Sequence, residues 1–189
     1  MLKQSKNYGI RIIAGKWRGR RLPVADLLGL RPSGDRVRET LFNWLQADIR
    51  GSRCLDMFAG SGALGLEAAS RGAASVKLLE KHPQAVKQLQ ENCRVFAAEN
   101  IHIENVDSLD WLNSVKSGSY EIIFIDPPFD SQWQSSLLEK TVSVGMLTED
   151  GRLYVESARR FEAPIVPAGL KELKIKLLGE VRMQLLAPI

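Results

Sequence analysis

Apolar and polar positions change period several times along this chain. Residues 10–14 (Ile-Arg-Ile-Ile-Ala) and 20–24 (Arg-Arg-Leu-Pro-Val) read as two short strands around Gly15-Lys16-Trp17-Arg18-Gly19, which predicts a basic hairpin. Over residues 35–49 the spacing becomes helical, with Val37, Leu41, Trp44 and Leu45 on one face beside Phe42, after the loop Arg31-Pro32-Ser33-Gly34. This helix is expected to dock the hairpin onto the rest of the chain. From residue 53 onward strand-like and helix-like segments alternate: residues 53–57, a helix over 63–71, residues 75–80, a helix opened by Pro83, residues 101–106, a short helix near 109–115, then 120–126. A helix around 133–144 precedes a strand at 152–157. Two further strand candidates, 173–179 and 182–188, are joined by a turn at Gly179-Glu180. The alternation predicts right-handed crossovers and a parallel sheet with helices on both faces, closed by an antiparallel hairpin.

At 189 residues and 44% hydrophobic content, the chain has room for one α/β domain with a real core and a small appendage. No apolar run approaches the length of a bilayer span, and the start, MLKQSKNYGIRII, has no long apolar stretch followed by a small-residue cleavage site, so a cytoplasmic protein is expected. Cys54 and Cys93 lie far apart without C-x-x-C spacing and read as reduced packing residues; with His82 and His102 the only histidines, no metal is expected. The net charge of +4 is unevenly spread. Residues 1–38 hold ten Lys/Arg against Asp26 and Asp35, a balance of +8 that leaves −4 on the remainder. Residues 1–34 therefore read as a basic region for a nucleic-acid backbone and 35–189 as the main domain. Ile10, Ile12, Ile13, Trp17 and Leu22 interleave apolar groups among those charges, which suits a folded element laying cations along a phosphate backbone better than a disordered tail.

Residues 60–65 are a literal G-x-G-x-x-G opening a helix, where backbone amides attract negative charge and absent side chains let a ligand approach. In the dinucleotide version these glycines serve a pyrophosphate. Asp56, four residues before Gly60, would repel a pyrophosphate and attract the ammonium group of a methionine moiety. The order Leu55-Asp56-Met57-Phe58-Ala59-Gly60-Ser61-Gly62 thus favours S-adenosylmethionine, with Phe58, Gly60 and Gly62 beside it. Glu80, at the end of the second strand of the sheet, is placed to accept both ribose hydroxyls, a need that either nucleotide shares. Asp107 and Ser108, ending the third, can accept from an adenine amino group, although Asp107 equally reads as a helix cap. At the end of the fourth stands Ile125-Asp126-Pro127-Pro128-Phe129. Two prolines at that edge remove donors, fix the loop and leave carbonyl acceptors exposed, with a carboxylate before them and an aromatic ring after.

Asp126-Pro127-Pro128-Phe129 together with the loop from Asp56 to Gly62 resembles amino-methyltransferases that act on exocyclic nitrogens of bases. The runs RIIAGKWRGRRL (11–22) and RPSGDRVRETLFNWL (31–45) are narrower, and resemble the RsmD family of bacterial 16S rRNA guanine-N2 methyltransferases. The resemblance extends from about residue 9 to the last strand; Ser33 stands where members often have Thr, and the tail after Arg160 matches only in character. It implies a Rossmann-like class I methyltransferase fold, with a mostly parallel seven-stranded sheet, an antiparallel last strand and an N-terminal hairpin extension. It also implies methyl transfer from S-adenosylmethionine to guanine N2 of a flipped base. Asp126 and Pro127 would then accept the amine hydrogens, Phe129 would stack on the base, and Arg36 would meet the cofactor's carboxylate. Arg11, Arg18, Arg20, Arg21 and Arg31 would hold 16S rRNA, within a small-subunit assembly particle, as a monomer. Three other readings stand beside this one: an adenine-N6 nucleic-acid methyltransferase, an NAD-dependent oxidoreductase that leaves Asp56 and residues 126–129 unexplained, and a non-catalytic RNA-binding assembly factor. The compact basic hairpin, without a separate sequence-reading domain, favours structured RNA.

Overall fold

The computed structural model describes residues 9–23, 34–115, 119–128 and 133–189; Arg31, Ser33 and Phe129 lie outside the described residues. A small antiparallel pair, β1 (Gly9–Arg11) and β2 (Arg21–Pro23), precedes α1 (Asp35–Trp44). The main body follows as β3 (Arg53–Asp56), α2 (Ala63–Ser70), β4 (Ser75–Glu80), α3 (Pro83–Phe96), β5 (Ile101–Asn105), α4 (Ser108–Ser114), β6 (Tyr120–Ile125), α5 (Gln134–Ser143), β7 (Leu147–Ala158), β8 (Leu170–Leu178) and β9 (Val181–Pro188). Its seven strands lie in the order β5-β4-β3-β6-β7-β9-β8. All neighbours up to β7 pair in parallel, and β9 runs antiparallel to both β7 and β8. This is the expected α/β architecture, and the reversal of strand order between β3 and β6, from which β4 and β5 extend one way and β7 the other, places a ligand crevice at their carboxyl ends.

The central strands are apolar throughout because both faces are covered. Cys54, Ile122, Phe124 and Tyr154 join the core under α1, α2 and α3, while Leu55, Ile123, Ile125 and Val155 pack on the other side with Leu137 and Leu138 of α5. Burial pushes the Cys54 thiol up to about 12 and the Cys93 thiol up to about 11, which keeps both as unreactive thiols. Among the described residues no helix is long and apolar enough to cross a membrane.

Three elements differ from the sequence expectation. The strand expected at 152–157 begins at Leu147, since the chain rejoins the ladder opposite Tyr120 across an irregularity. The helix expected over 35–49 stops at Trp44, and hydrogen-bonded turns carry Leu45 and Ile49 into the core. The hairpin ladder is shorter than expected because Ile13 and Ala14 turn their N–H groups away from it. Both donate to the carboxylate of Glu67 on α2, at 2.8 and 3.0 Å.

That carboxylate anchors the amino-terminal region. Glu67 is fully buried; it also accepts from Arg71 Nε at 2.7 Å and lies 3.6 Å from Arg38 Nη1, and Arg38 donates to Asp35 at 2.6 Å. One turn on, the Ser70 hydroxyl accepts from the Trp17 amide and donates to the Ala14 carbonyl, and the Ser70 carbonyl accepts from the Lys16 amide. Gly15 sits in this contact with φ +84°, and a Cβ there would fall 1.8 Å from the Ser70 carbonyl oxygen. Ile10, Ile12, Trp17 and Leu22 are all buried in the same core as α1, α2 and α3, and Trp17 stacks on Phe96 with ring centroids 5.1 Å apart. Each such side chain contributes roughly 1.5–3 kcal/mol by leaving water. The basic hairpin and the sheet thus share one core.

Removing the anchor takes a carboxylate from the buried Arg38, the ion-pair partner from Arg71 and the acceptor from two backbone amides, so Glu67→Ala should destabilise the protein by about 3–5 kcal/mol. It should also abolish the exchange protection of the Ile13 and Ala14 amides. Denaturant unfolding with hydrogen exchange checks both, and a loss below about 1 kcal/mol would contradict the anchoring role.

Candidate active site

The registers across β4, β3, β6 and β7 put Leu78, Asp56, Phe124 and Tyr154 in one row. Glu80, Asp126 and Glu156 each follow two residues later along their strands, so they share that face and stand one layer higher, at the carboxyl edge. Four carboxyl groups are thereby gathered on the α1–α3 side: three along the rim and Asp56 beneath them. The sequence brings Asp56, Glu80 and Asp126 together by the same βα alternation that builds the sheet. Depth separates their roles.

Asp56 is 1% exposed, and both its oxygens serve the glycine loop: Oδ1 accepts from the Phe58 amide at 3.3 Å and Oδ2 from the Gly65 amide at 3.2 Å. It shapes the loop from below. Burial, and after it the charge of Asp126, push this carboxyl up to about 7, against the opposing pull of the two amides. Gly60 donates its N–H to Glu80 Oε2 at 2.8 Å, and Glu80 Oε1 accepts from the His82 amide at 2.7 Å. Each of these oxygens retains a second lone pair. Gly62 caps α2 in the left-handed region, φ +82°, and a side chain there would run into Leu66 and Leu89 rather than into the crevice. Its role is to turn the chain into the helix.

Asp107 caps α4 through the Leu109 amide at 2.9 Å, with Lys81 Nζ 3.9 Å away, and the buried Ser108 hydroxyl donates to the Met57 carbonyl. These contacts tie the end of β5 to the end of β3. Phe58 is half-buried against the α5-side core. Asp126 is half-buried, Pro127 buried and Pro128 exposed. Phe129 and Arg31 are outside the described residues. Arg36 is exposed on the first turn of α1, whereas Arg38 is the buried arginine of that helix.

Besides Glu67, two residues escaped the sequence reading. Arg38 lies three residues before Leu41 and seven before Leu45, on the apolar face, and that spacing could have marked it as buried. Glu156 is 1% exposed at the end of β7, where its carboxylate accepts from the buried Tyr154 hydroxyl at 2.8 Å. Burial, then Glu156 and Asp126, hold that phenol well above its ordinary range. A lone acid inside the apolar run Leu153 to Ser157 was the available signal.

In the hairpin, Arg11 pairs with Asp35 at 3.3 Å, and Arg20 lies 4.0 Å from the Phe96 ring centroid and donates to the Val95 carbonyl. Arg18 and Arg21 are exposed with no ion pair among the described residues. Of the four described arginines nominated from sequence, these two face solvent unengaged.

The depth of Asp56 has a measurable consequence. A carboxyl that titrates higher folded than unfolded stabilises the fold while protonated, fully below about 4, and loses that contribution as pH rises through about 7. The unfolding free energy of the wild type should therefore fall relative to Asp56→Asn between pH 4 and 7; parallel profiles would contradict the buried placement.

Comparison with known proteins finds similarity along nearly the whole chain. The family model described as Conserved hypothetical protein 95 matches residues 10–187. Ribosomal RNA small subunit methyltransferase D of Escherichia coli (strain K12) is 45% identical over 180 residues, 93% of this chain and 88% of that protein. The protein of the same name from Haemophilus influenzae (strain ATCC 51907 / DSM 11121 / KW20 / Rd) is 41% identical over 180 residues, 93% of this chain and 92% of that protein. The solved structure of yhhF from Escherichia coli superposes with a TM-score of 0.87 at 42% identity, covering 94% of this chain and 97% of that one. A basic hairpin clamped to the glycine-loop helix, and an Asp-Pro-Pro turn beside it, are thus accompanied by similarity along nearly the whole chain: it belongs to the RsmD family.

Proposed function

We propose that this protein transfers a methyl group from S-adenosylmethionine to the exocyclic N2 of a guanine in 16S rRNA. The observation that carries the reading is the carboxylate rim of Glu80, Asp126 and Glu156 above Asp56, at the strand ends beside the Gly60–Gly62 loop. Such a site favours a cationic ligand over a pyrophosphate, which speaks for S-adenosylmethionine and against NAD. The residues present fit that cofactor: Glu80 has lone pairs to spare for ribose hydroxyls, and Asp56 lends negative potential from below to the methionine end. Asp107 and Ser108 are assigned to the adenine end, and Arg36, exposed on the first turn of α1, to the carboxylate. Bound there, the cofactor supplies an electrophilic methyl carbon on a sulfonium.

The remainder of the chemistry falls to the turn after β6. An exocyclic amine is a poor nucleophile because its lone pair is delocalised into the ring. The Asp126 carboxylate and the Pro127 carbonyl accept its two N–H groups, localising the lone pair toward the methyl carbon. Pro127 is buried, and Pro128 after it restricts the rotation that would swing that carbonyl away. Phe129 stacks on the flipped base, a contact worth about 1–3 kcal/mol. Alignment of nitrogen, carbon and sulfur contributes on the order of 7–11 kcal/mol as effective concentration. Arg18 and Arg21, with Arg31, meet phosphates, while Arg11 and Arg20 brace the hairpin that presents them. The substrate is structured RNA, in a small-subunit assembly particle, engaged by a monomer.

The deciding experiment incubates the protein and labelled cofactor with small-subunit RNA, free or in particles, and identifies the product nucleoside by mass spectrometry. N2-methylguanosine is expected; N6-methyladenosine would move the protein to the adenine class. Asp126→Ala should lower the single-turnover rate by about 10²–10⁴ with cofactor affinity kept within several-fold. A near wild-type rate would remove Asp126 from the chemistry. Arg18→Gln with Arg21→Gln should weaken RNA binding across sequences and reduce the salt slope by roughly 0.7–0.9 per lost contact. Unchanged binding isotherms across a salt titration would take those two residues off the RNA.

A further inference from the structure

The edge strand β8 carries a second row of cations. In the ladder with β9, Lys171, Lys174 and Lys176 stand opposite Ala187, Leu185 and Met183. Cross-strand partners share a face, and Met183 and Leu185 belong to the core beneath α1, α2 and α3. The spacing of Lys171 and Lys174 is odd, so a regular strand would point them to opposite sides. An irregularity between Glu172 and Lys174 cancels that parity and brings all three lysines onto one face. Each is exposed, and none makes an ion pair among the described residues, although Lys77 pairs with Glu104 and Lys81 lies near Asp107. The strand's acid, Glu172, faces the other side, where it accepts from Gln184 Nε2 at 2.9 Å. Lys174 Nζ stands 6.0 Å from the ring centroid of Trp44, at the end of α1.

This row and the basic hairpin lie on the same side of the sheet with α1 between them. The hairpin rests on α2 and α3, over β3 and β4; from β4 to β8 is five strand spacings, about 24 Å. Resting on the reading of the substrate as RNA, we propose that Lys171, Lys174 and Lys176 form a second contact for the RNA backbone, engaging phosphates of a segment other than the one held by the hairpin. Ammonium groups are point-charge partners for phosphate, and a row of them along an extended strand positions a backbone without reading bases. Lysines on an edge strand also block unwanted strand pairing. Any charge serves that purpose, whereas a phosphate demands a positive one.

The test measures binding of a 16S rRNA fragment as a function of salt by full-length protein carrying Lys171→Gln, Lys174→Gln and Lys176→Gln, or the three Lys→Glu changes. Arg18→Gln with Arg21→Gln serves as a parallel arm, and sedimentation reports association state. The glutamine variant should lose about 2–3 units of salt slope, roughly 0.7–0.9 per contact, with S-adenosylhomocysteine affinity unchanged. The glutamate variant should stay monomeric and bind more weakly still. If the glutamate variant instead recovers binding lost in the glutamine variant, the row protects the edge only and the proposal fails. A drop in the arginine arm with none in the lysine arm overturns the lysine row alone. Absence of salt-dependent RNA binding by the wild type overturns both this proposal and the RNA reading beneath it.

Discussion

Everything amino-terminal to the sheet hangs on one buried carboxylate. Glu67 receives the turned-out amides of Ile13 and Ala14, balances Arg71 and Arg38, and through Arg38 reaches Asp35 at the start of α1. A charge taken this far out of water is tolerated only while all its partners stay in place. The helix that carries it, α2, opens at Gly62 beside the crevice and ends at Ser70 beneath the hairpin. One helix of 8 residues therefore positions the loop proposed for the cofactor and the arm proposed for the RNA. Neither can shift without straining the other.

The carboxylates illustrate what pairing register adds to sequence. Asp56, Glu80 and Asp126 were legible as strand-end acids because βα alternation forces such residues to one edge. Their division into a floor and a rim was not, since it depends on which residue of one strand stands beside which of the next. The same limit hid the alignment of the β8 lysines, which needs a bulge that no local spacing announces. Glu67 was invisible for a related reason: on a helix whose residues are all buried, its neighbours Leu66 and Ala68 give no amphipathic contrast from which to read a function. By contrast, the parallel sheet with helices on both faces, its closing antiparallel hairpin and the amino-terminal hairpin followed from periodicity and turn residues, and residues 11–22 and 31–45 carried the family resemblance; the order of the strands came only with the structure.

Charge is partitioned to match the proposed task. Acids line the crevice, where a sulfonium and the hydrogens of an amine are the groups to be held, while exposed cations without an ion pair among the described residues sit on the hairpin and on β8, away from it. A polyanion is thus drawn to the flanks and repelled from the centre. What enters the centre must leave its phosphates outside, which suits a base swung out of a helix far better than a backbone.

The placement of β9 has a consequence for how the chain acquires its shape. Because β9 inserts between β7 and β8, the strand that follows β7 in sequence has no partner until residues 181–188 exist. Leu153 and Tyr154 wait for Leu186 and Leu185, more than thirty positions downstream, before that side of β7 is covered. During synthesis the part from β3 to β7 can assemble around Phe124, but β8 has no partner and the far edge of β7 stays open until β9 closes on both sides at once. The interval between the emergence of β7 and that of β9 is when the nascent chain presents its longest sticky edge.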